Sequence, residues 1–130
     1  MAERGEAELL AEWEEAAASG RLLVQRCEDC DAVQAYVRTV CSSCQSSAVH
    51  FVEAAGRGEI ESFTWIHRAA FEGVSVPYAV ARVRLLEGAL LLSSVVGVSE
   101  GELGCGDPVA LRWTEQEDGR RLPVFGPPDA

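Results

Sequence analysis

Two cysteine pairs carry the clearest chemistry in this chain. Cys27-Glu28-Asp29-Cys30 and Cys41-Ser42-Ser43-Cys44 are both C-x-x-C, with ten residues between them. Two thiolates three positions apart can close a knuckle on one metal ion. A second knuckle returning on a short hairpin supplies four sulfurs in the tetrahedron that zinc accepts without strain. The expected cofactor is one structural Zn2+ per chain, held by Cys27, Cys30, Cys41 and Cys44. A closed four-sulfur shell leaves no position for water or substrate, so such an ion is scaffold rather than catalyst. Its binding would fold residues 22–55, a segment too short to build its own core. Asp31 and Gln45 follow the knuckles at positions where glycine is common, because the backbone there favours a left-handed conformation. Asp tolerates that conformation and Gln does so less well.

The competing reading of the cysteines is two disulfides, which requires an oxidising compartment. The opening Met1-Ala2-Glu3-Arg4-Gly5 has neither the basic start nor the apolar run of a secretory leader, and a cytoplasmic location is expected. The fifth cysteine, Cys105 in Gly104-Cys105-Gly106-Asp107-Pro108, reads as a bystander in a turn. His50 and His67 are the only histidines. Neither belongs to an obvious nucleophile–base pair, so no catalytic residue is assigned.

The elements that must position the cysteines follow from pattern. At 130 residues the chain is one ordinary domain, or a small metal module fused to a compact core. Leu9, Leu10, Trp13, Ala16 and Ala17 recur at helical spacing among glutamates, predicting a helix over 5–19 stopped by Ser19-Gly20. Val33 to Val40 should cross between the knuckles and Ala48 to Ala54 should return. Gly56-Arg57-Gly58 punctuates the chain and marks a plausible domain boundary.

From Glu59 onward the period becomes two. Ile60, Ser62, Thr64 and Ile66 are expected on one face of a strand, with Glu61, Phe63, Trp65 and His67 on the other. Ala79, Ala81, Val83 and Leu85 alternate next, and Glu87-Gly88 turns the chain into Ala89 to Val98. Ser99 to Leu103 suits a helical turn. Val109, Leu111 and Trp113 then alternate, and Asp118-Gly119 leads into Arg120 to Phe125. Five short strands with one non-hairpin link between the third and fourth suit a Greek-key barrel of the OB type, an open sandwich being the alternative. The fold class is thus mainly β: an N-terminal helix (1–21), a rubredoxin-like zinc ribbon (22–56), a five-stranded OB-fold barrel (57–126) and a tail (127–130).

Charge bounds the partners. A net charge of −10 repels phosphate backbones unless basic residues gather on one face, and no basic stripe with interleaved aromatics is present. No nucleic-acid partner is expected, although single-stranded nucleic-acid binding is the alternative for a ribbon joined to an OB barrel. The longest apolar run, Ala89-Leu90-Leu91-Leu92, is far too short to span a membrane.

A family resemblance runs from about residue 9 to residue 126. Glu12-Trp13-Glu14-Glu15-Ala16, Gly20-Arg21-Leu22 and Gln25-Arg26-Cys27 are followed by Gly56-Arg57-Gly58-Glu59-Ile60, Thr64-Trp65-Ile66-His67-Arg68 and Pro77-Tyr78-Ala79-Val80-Ala81. Val96-Gly97-Val98, Gly106-Asp107-Pro108-Val109 and Leu122-Pro123-Val124-Phe125 complete the series. In this order the motifs resemble zinc-ribbon OB-fold proteins that accompany acyl-CoA enzymes. Ser42 departs from the pattern, a proline being common there.

The resemblance implies an accessory subunit that docks on a thiolase-fold enzyme, carries no chemistry itself and helps to hold the CoA thioester. The first expectation is a steroid side-chain retro-aldolase complex, with thiolase and hydroxymethylglutaryl-CoA synthase complexes as alternatives. A two-plus-two heterotetramer is natural, since the partner fold is itself dimeric. Arg57, Trp65, His67 and Arg68 are the expected CoA contacts, and Arg82 and Arg84 are further candidates for phosphate. Leu9, Leu10 and Trp13 are the candidate docking stripe, standing off from the barrel core, the alternative being a face packed on the chain's own core.

Overall fold

A computed structural model describes residues 5–128; Met1–Arg4 of the opening segment and the last two residues of the tail lie outside the described residues. The helix α1 spans Glu6–Ala18. Glu6 and Glu8 in its first turn complement the positive end of the helix dipole. It ends in a Schellman motif: Gly20, at φ +78°, donates its N–H to the Ala17 carbonyl and Arg21 donates to the Ala16 carbonyl. Ala16 and Ala17 are buried against the chain that follows.

A three-stranded antiparallel sheet comes next, ordered β2-β1-β3 from β1 (Leu23–Cys27), β2 (Val33–Gln34) and β3 (Val49–Glu53). Of the crossing segment Val33 to Val40, only Val33 and Gln34 form a strand. Side-chain amides take over its backbone groups: Gln25, almost fully buried, donates through Nε2 to the Arg38 carbonyl at 2.8 Å and accepts the Arg38 N–H at 2.9 Å. Gln34 donates to Gln25 Oε1 at 2.8 Å and to the Val40 carbonyl at 3.2 Å, and accepts the Ser42 N–H at 2.9 Å. This satisfies the segment without a ladder and leads it straight into the second knuckle.

The remaining strands are β4 (Arg57–Ile66), β5 (Tyr78–Leu85), β6 (Leu90–Val95), β7 (Pro108–Glu115) and β8 (Arg121–Gly126). They close into a barrel ordered β4-β5-β6-β8-β7, which decides the fold in favour of the OB type over an open sandwich. The non-hairpin link is the one between β6 and β7, as the pattern predicts, and it places β6 parallel to β8 at Val95 and Phe125. The helical turn expected over Ser99 to Leu103 is only a hydrogen-bonded turn, with the Glu102 N–H on the Ser99 carbonyl.

The strand β4 departs from simple alternation. A β-bulge between Ile60 and Ser62 shifts the pleat by one residue. Ile60 is buried before the bulge, but beyond it Phe63 and Trp65 face the core while Ser62 and Thr64 are exposed. The faces assigned beyond Ile60 are therefore reversed. Next to the bulge, β4 and β5 approach closely at Gly58, where an added Cβ would lie 2.4 Å from the Arg84 carbonyl oxygen. Ribbon and barrel also share one core. Leu22, Val24, Ala35 and Ala54 belong to the same buried cluster as Ile60, Val83, Leu85 and Phe125.

Candidate metal centre and docking surfaces

The two knuckles repeat the same backbone. The Cys27 carbonyl accepts the Asp31 N–H at 2.9 Å and the Cys41 carbonyl accepts the Gln45 N–H at 2.9 Å. The Cys27 N–H reaches the Ala32 carbonyl at 2.9 Å, and the Cys41 N–H reaches the Ser46 carbonyl at 2.8 Å. Asp31 and Gln45 both sit at φ 68°, the left-handed conformation expected of these positions, and neither is glycine. Asp31 is held there by an ion pair with Arg26.

The four sulfurs converge. All lie within 4.8 Å of one another, with Cys27 and Cys44 at 3.6 Å and Cys30 and Cys41 at 3.5 Å. A regular tetrahedron with zinc–sulfur bonds of 2.3 Å has edges of about 3.8 Å, so the donor set fits that ion. Electrostatics point the same way. Backbone N–H groups of Cys44 and Ser43 stabilise the Cys41 thiolate and lower its pKa to about 6. The Ala32 N–H favours the Cys30 thiolate, yet hydrogen bonds with the Cys41 and Cys44 thiols outweigh it and raise Cys30 to about 12. Four thiolates this close repel one another, and a bound cation would offset that repulsion. All five cysteines are free thiols, and Cys105 is exposed in a turn.

The residues expected to contact CoA do not form one cluster. Arg57 opens β4 and Trp65 lies eight residues along it, about 26 Å away at strand rise. The side chains of Arg57 and Arg68 make no ion pair among the described residues. Arg57 lines a groove of about 690 Å³ with Arg84, Leu86 and Pro108. At the other end of β4, Trp65 is packed against the core, and exposed His67 meets Glu100 at 2.6 Å, tying the β6–β7 link to the strand end. Arg82 and Arg84 are both engaged by Glu61 on the barrel surface, at 3.6 Å for Arg82. His50 is exposed and lies 3.6 Å from Glu28. Among the described residues no hydroxyl or thiol is hydrogen-bonded to either histidine.

The helix stripe is divided. Trp13 donates its indole N–H to the Leu23 carbonyl at 3.1 Å and packs against the shared core, so it does not stand off from the fold as expected. Leu9 is half-buried and Leu10 is exposed. Leu10 lines an apolar groove of about 510 Å³ with Tyr36, Leu92 and Leu122, between the helix, the ribbon and the seam where β6 and β8 part. Pairing across that seam is confined to Val95 and Phe125, with the Ser93 hydroxyl donating to the Pro123 carbonyl at 2.9 Å. Tyr36 covers part of it, its hydroxyl accepting the Leu92 N–H at 2.9 Å. Period-two patterning cannot reveal this groove, because it arises from three segments that meet only in the folded chain.

Comparison with known proteins agrees with this architecture. The family model described as the rubredoxin-like zinc ribbon domain of ChsH2 matches residues 15–50. That for the C-terminal OB-fold domain of ChsH2 matches residues 51–114. A probable enoyl-CoA hydratase alpha subunit of Thermomonospora curvata is 38% identical over 115 residues, covering 88% of this chain and 36% of that protein. The 3-oxo-4,17-pregnadiene-20-carboxyl-CoA hydratase alpha subunit of Mycobacterium tuberculosis is 30% identical over 74 residues, covering 57% of this chain and 24% of that protein. The chain thus spans about a third or less of the length of these curated relatives.

Among solved structures, a chain of the Ltp2-ChsH2(DUF35) aldolase superposes with a TM-score of 0.79 at 38% identity, covering 90% of this chain and 92% of that one. A DUF35-family protein of unknown function from Sulfolobus solfataricus shares the fold, with a TM-score of 0.60 at 19% identity over 78% of this chain and 75% of that one. A ribbon and a closed barrel in this order, matched by both domain models and by a solved relative over nearly its full length, make the chain a member of the ChsH2 family of zinc-ribbon OB-fold proteins.

Proposed function

We propose that this chain is a non-catalytic accessory subunit of a thiolase-superfamily acyl-CoA enzyme, docking on the thiolase-fold partner and helping to hold the CoA thioester. A steroid side-chain retro-aldolase, a carbon–carbon lyase, is the preferred complex. The observation that carries the reading is the likeness to the Ltp2-ChsH2(DUF35) aldolase chain, at 38% identity over 92% of its length. The hydratase activity named for the curated relatives is not carried over, because only 36% and 24% of those proteins have a counterpart here. Thiolase and hydroxymethylglutaryl-CoA synthase complexes are the second reading, supported by the same architecture. One Zn2+ per chain at Cys27, Cys30, Cys41 and Cys44 belongs to the proposal as the scaffold of the ribbon.

Co-expression with a thiolase-fold partner protein tests the reading. The expected result is a single hetero-oligomer on size-exclusion chromatography, two copies of each subunit, with acyl-CoA turnover that the isolated small subunit lacks. Failure to co-elute, or robust turnover by the small subunit alone, would overturn it.

Ligand contact is tested by Arg57→Ala and Arg68→Ala made singly in the assembled enzyme. A raised KM with nearly unchanged kcat marks lost uniform binding. The two arginines lie near opposite ends of β4 and cannot serve one phosphate group, so the variant that raises KM identifies the end that faces CoA. Wild-type kinetics in both would make the subunit a scaffold only.

A further inference from the structure

The link between β4 and β5 is the one hairpin connection of the barrel that is much longer than its geometry needs. It runs over residues 67–77, eleven residues, whereas the β5–β6 and β7–β8 hairpins close with four and five. Antiparallel neighbours need only about two to five residues to turn, and longer loops are kept for a use of their own. Every residue from His67 to Pro77 is exposed. Among the described residues, three of the nine exposed large hydrophobic side chains fall in this one loop: Phe71, Val74 and Val76, with Phe71 at 77%. The root of the loop is fixed, since His67 is tied to Glu100 and the strands on either side pair from Ile66 with Tyr78.

We infer that the 67–77 loop is a docking knob whose Phe71 inserts into an apolar recess of the partner protein. Its shape and charge select this occupant. Small-molecule sites are concave, and a fully exposed projection has no walls with which to enclose a ligand. A nucleic acid or an anionic membrane surface is repelled by a net charge of −10, and Glu72 beside Phe71 opposes burial in lipid. A protein recess wide enough for a phenyl ring takes the apolar tip while its rim leaves Glu72 in solvent. The inference rests on the accessory-subunit reading, because the partner it takes is the thiolase-fold protein.

The test is calorimetry of the full chain with that partner, for wild type, Phe71→Ser, Phe71→Leu and Leu92→Ser. Phe71→Ser is expected to weaken binding by about 30-fold, the loss typical of an aromatic anchor, with an unchanged melting midpoint. Phe71→Leu should recover part of that loss. Leu92→Ser, in the groove between helix and ribbon, should change Kd by less than about threefold. If wild type and Phe71→Ser bind alike, the knob is wrong and the accessory-subunit reading stands. If Leu92→Ser gives the larger loss, the groove is the docking face and the inference falls. If the wild type does not bind the partner, both fall. Phe71-dependent binding to phospholipid vesicles, or Phe71-dependent self-association without the partner, would likewise replace the partner recess as occupant.

Discussion

Replacing Cys41 with serine, or stripping metal with a chelator, is expected to unfold the ribbon and carry part of the barrel with it. Elemental analysis of protein purified without added metal should find one zinc per chain, and the treated protein none. Structural zinc contributes on the order of 10–16 kcal/mol in isolated modules, as much as the whole net stability of an ordinary domain. Cys41 is fully buried, and the segment leading to it is held by side-chain amides rather than a sheet ladder. Once the second knuckle is released, residues 35–40 keep only the Gln25 and Gln34 amides, the buried Ala35 and the Tyr36–Leu92 hydrogen bond to order them. The loss should spread, because Leu22, Val24, Ala35 and Ala54 complete the core that the barrel uses. Amide exchange should therefore accelerate first over residues 22–55 and then over β6, whose Leu92 N–H depends on Tyr36. Acid should act in the same direction, since protons compete for the thiolates that bind the ion. A metal-free protein that stays fully folded, or disulfides mapped among these cysteines, would refute the assignment.

Much of this architecture is legible in the sequence, and the parts that are not share a cause. Cysteine spacing specifies the knuckles because the chemistry is local: three residues close the loop and one left-handed residue ends it. Alternation specifies β5, whose Ala79, Ala81, Val83 and Leu85 are all buried against one centre. It misleads on β4, because a bulge inserts one residue into the count and reverses the pleat for Phe63 and Trp65. Over Val33 to Val40 no period is on offer, because Gln25, thirteen positions from Arg38, satisfies that backbone from another strand. Arg82 and Arg84 look available on paper and are claimed by Glu61 across the sheet. Each error lies where a non-local contact takes over a local pattern. The Phe71 loop escapes a reading by pattern for a different reason. Its aromatic stands alone among Ala69, Ala70, Glu72 and Gly73 with no period to join, and it remains exposed in the fold.

Trp13 gives the second large effect, and the fold places it on the core side of the two readings the sequence leaves open. On a helical wheel Leu9, Leu10 and Trp13 form one apolar stripe beside a metal module with little core, which leaves a partner surface and a core face both open. In the folded chain the helix lies against β8 and β1, and the Trp13 indole bonds the Leu23 carbonyl where the ribbon begins. Removing it leaves a half-enclosed cavity and deprives that carbonyl of its side-chain donor. Trp13→Ala is therefore expected to cost about 3 kcal/mol, somewhat below or at the lower edge of the range for a fully buried tryptophan. In a chain of this size that is a fall of roughly 10 °C in the melting midpoint. Trp13→Phe keeps most of the packing and loses the hydrogen bond, so about 1 kcal/mol is expected. Leu10→Ala, at a position 40% exposed, should cost well under 1 kcal/mol. Thermal melts of the three variants separate packing from docking: a Trp13→Ala protein that melts with the wild type but no longer binds the partner would return the whole stripe to the interface.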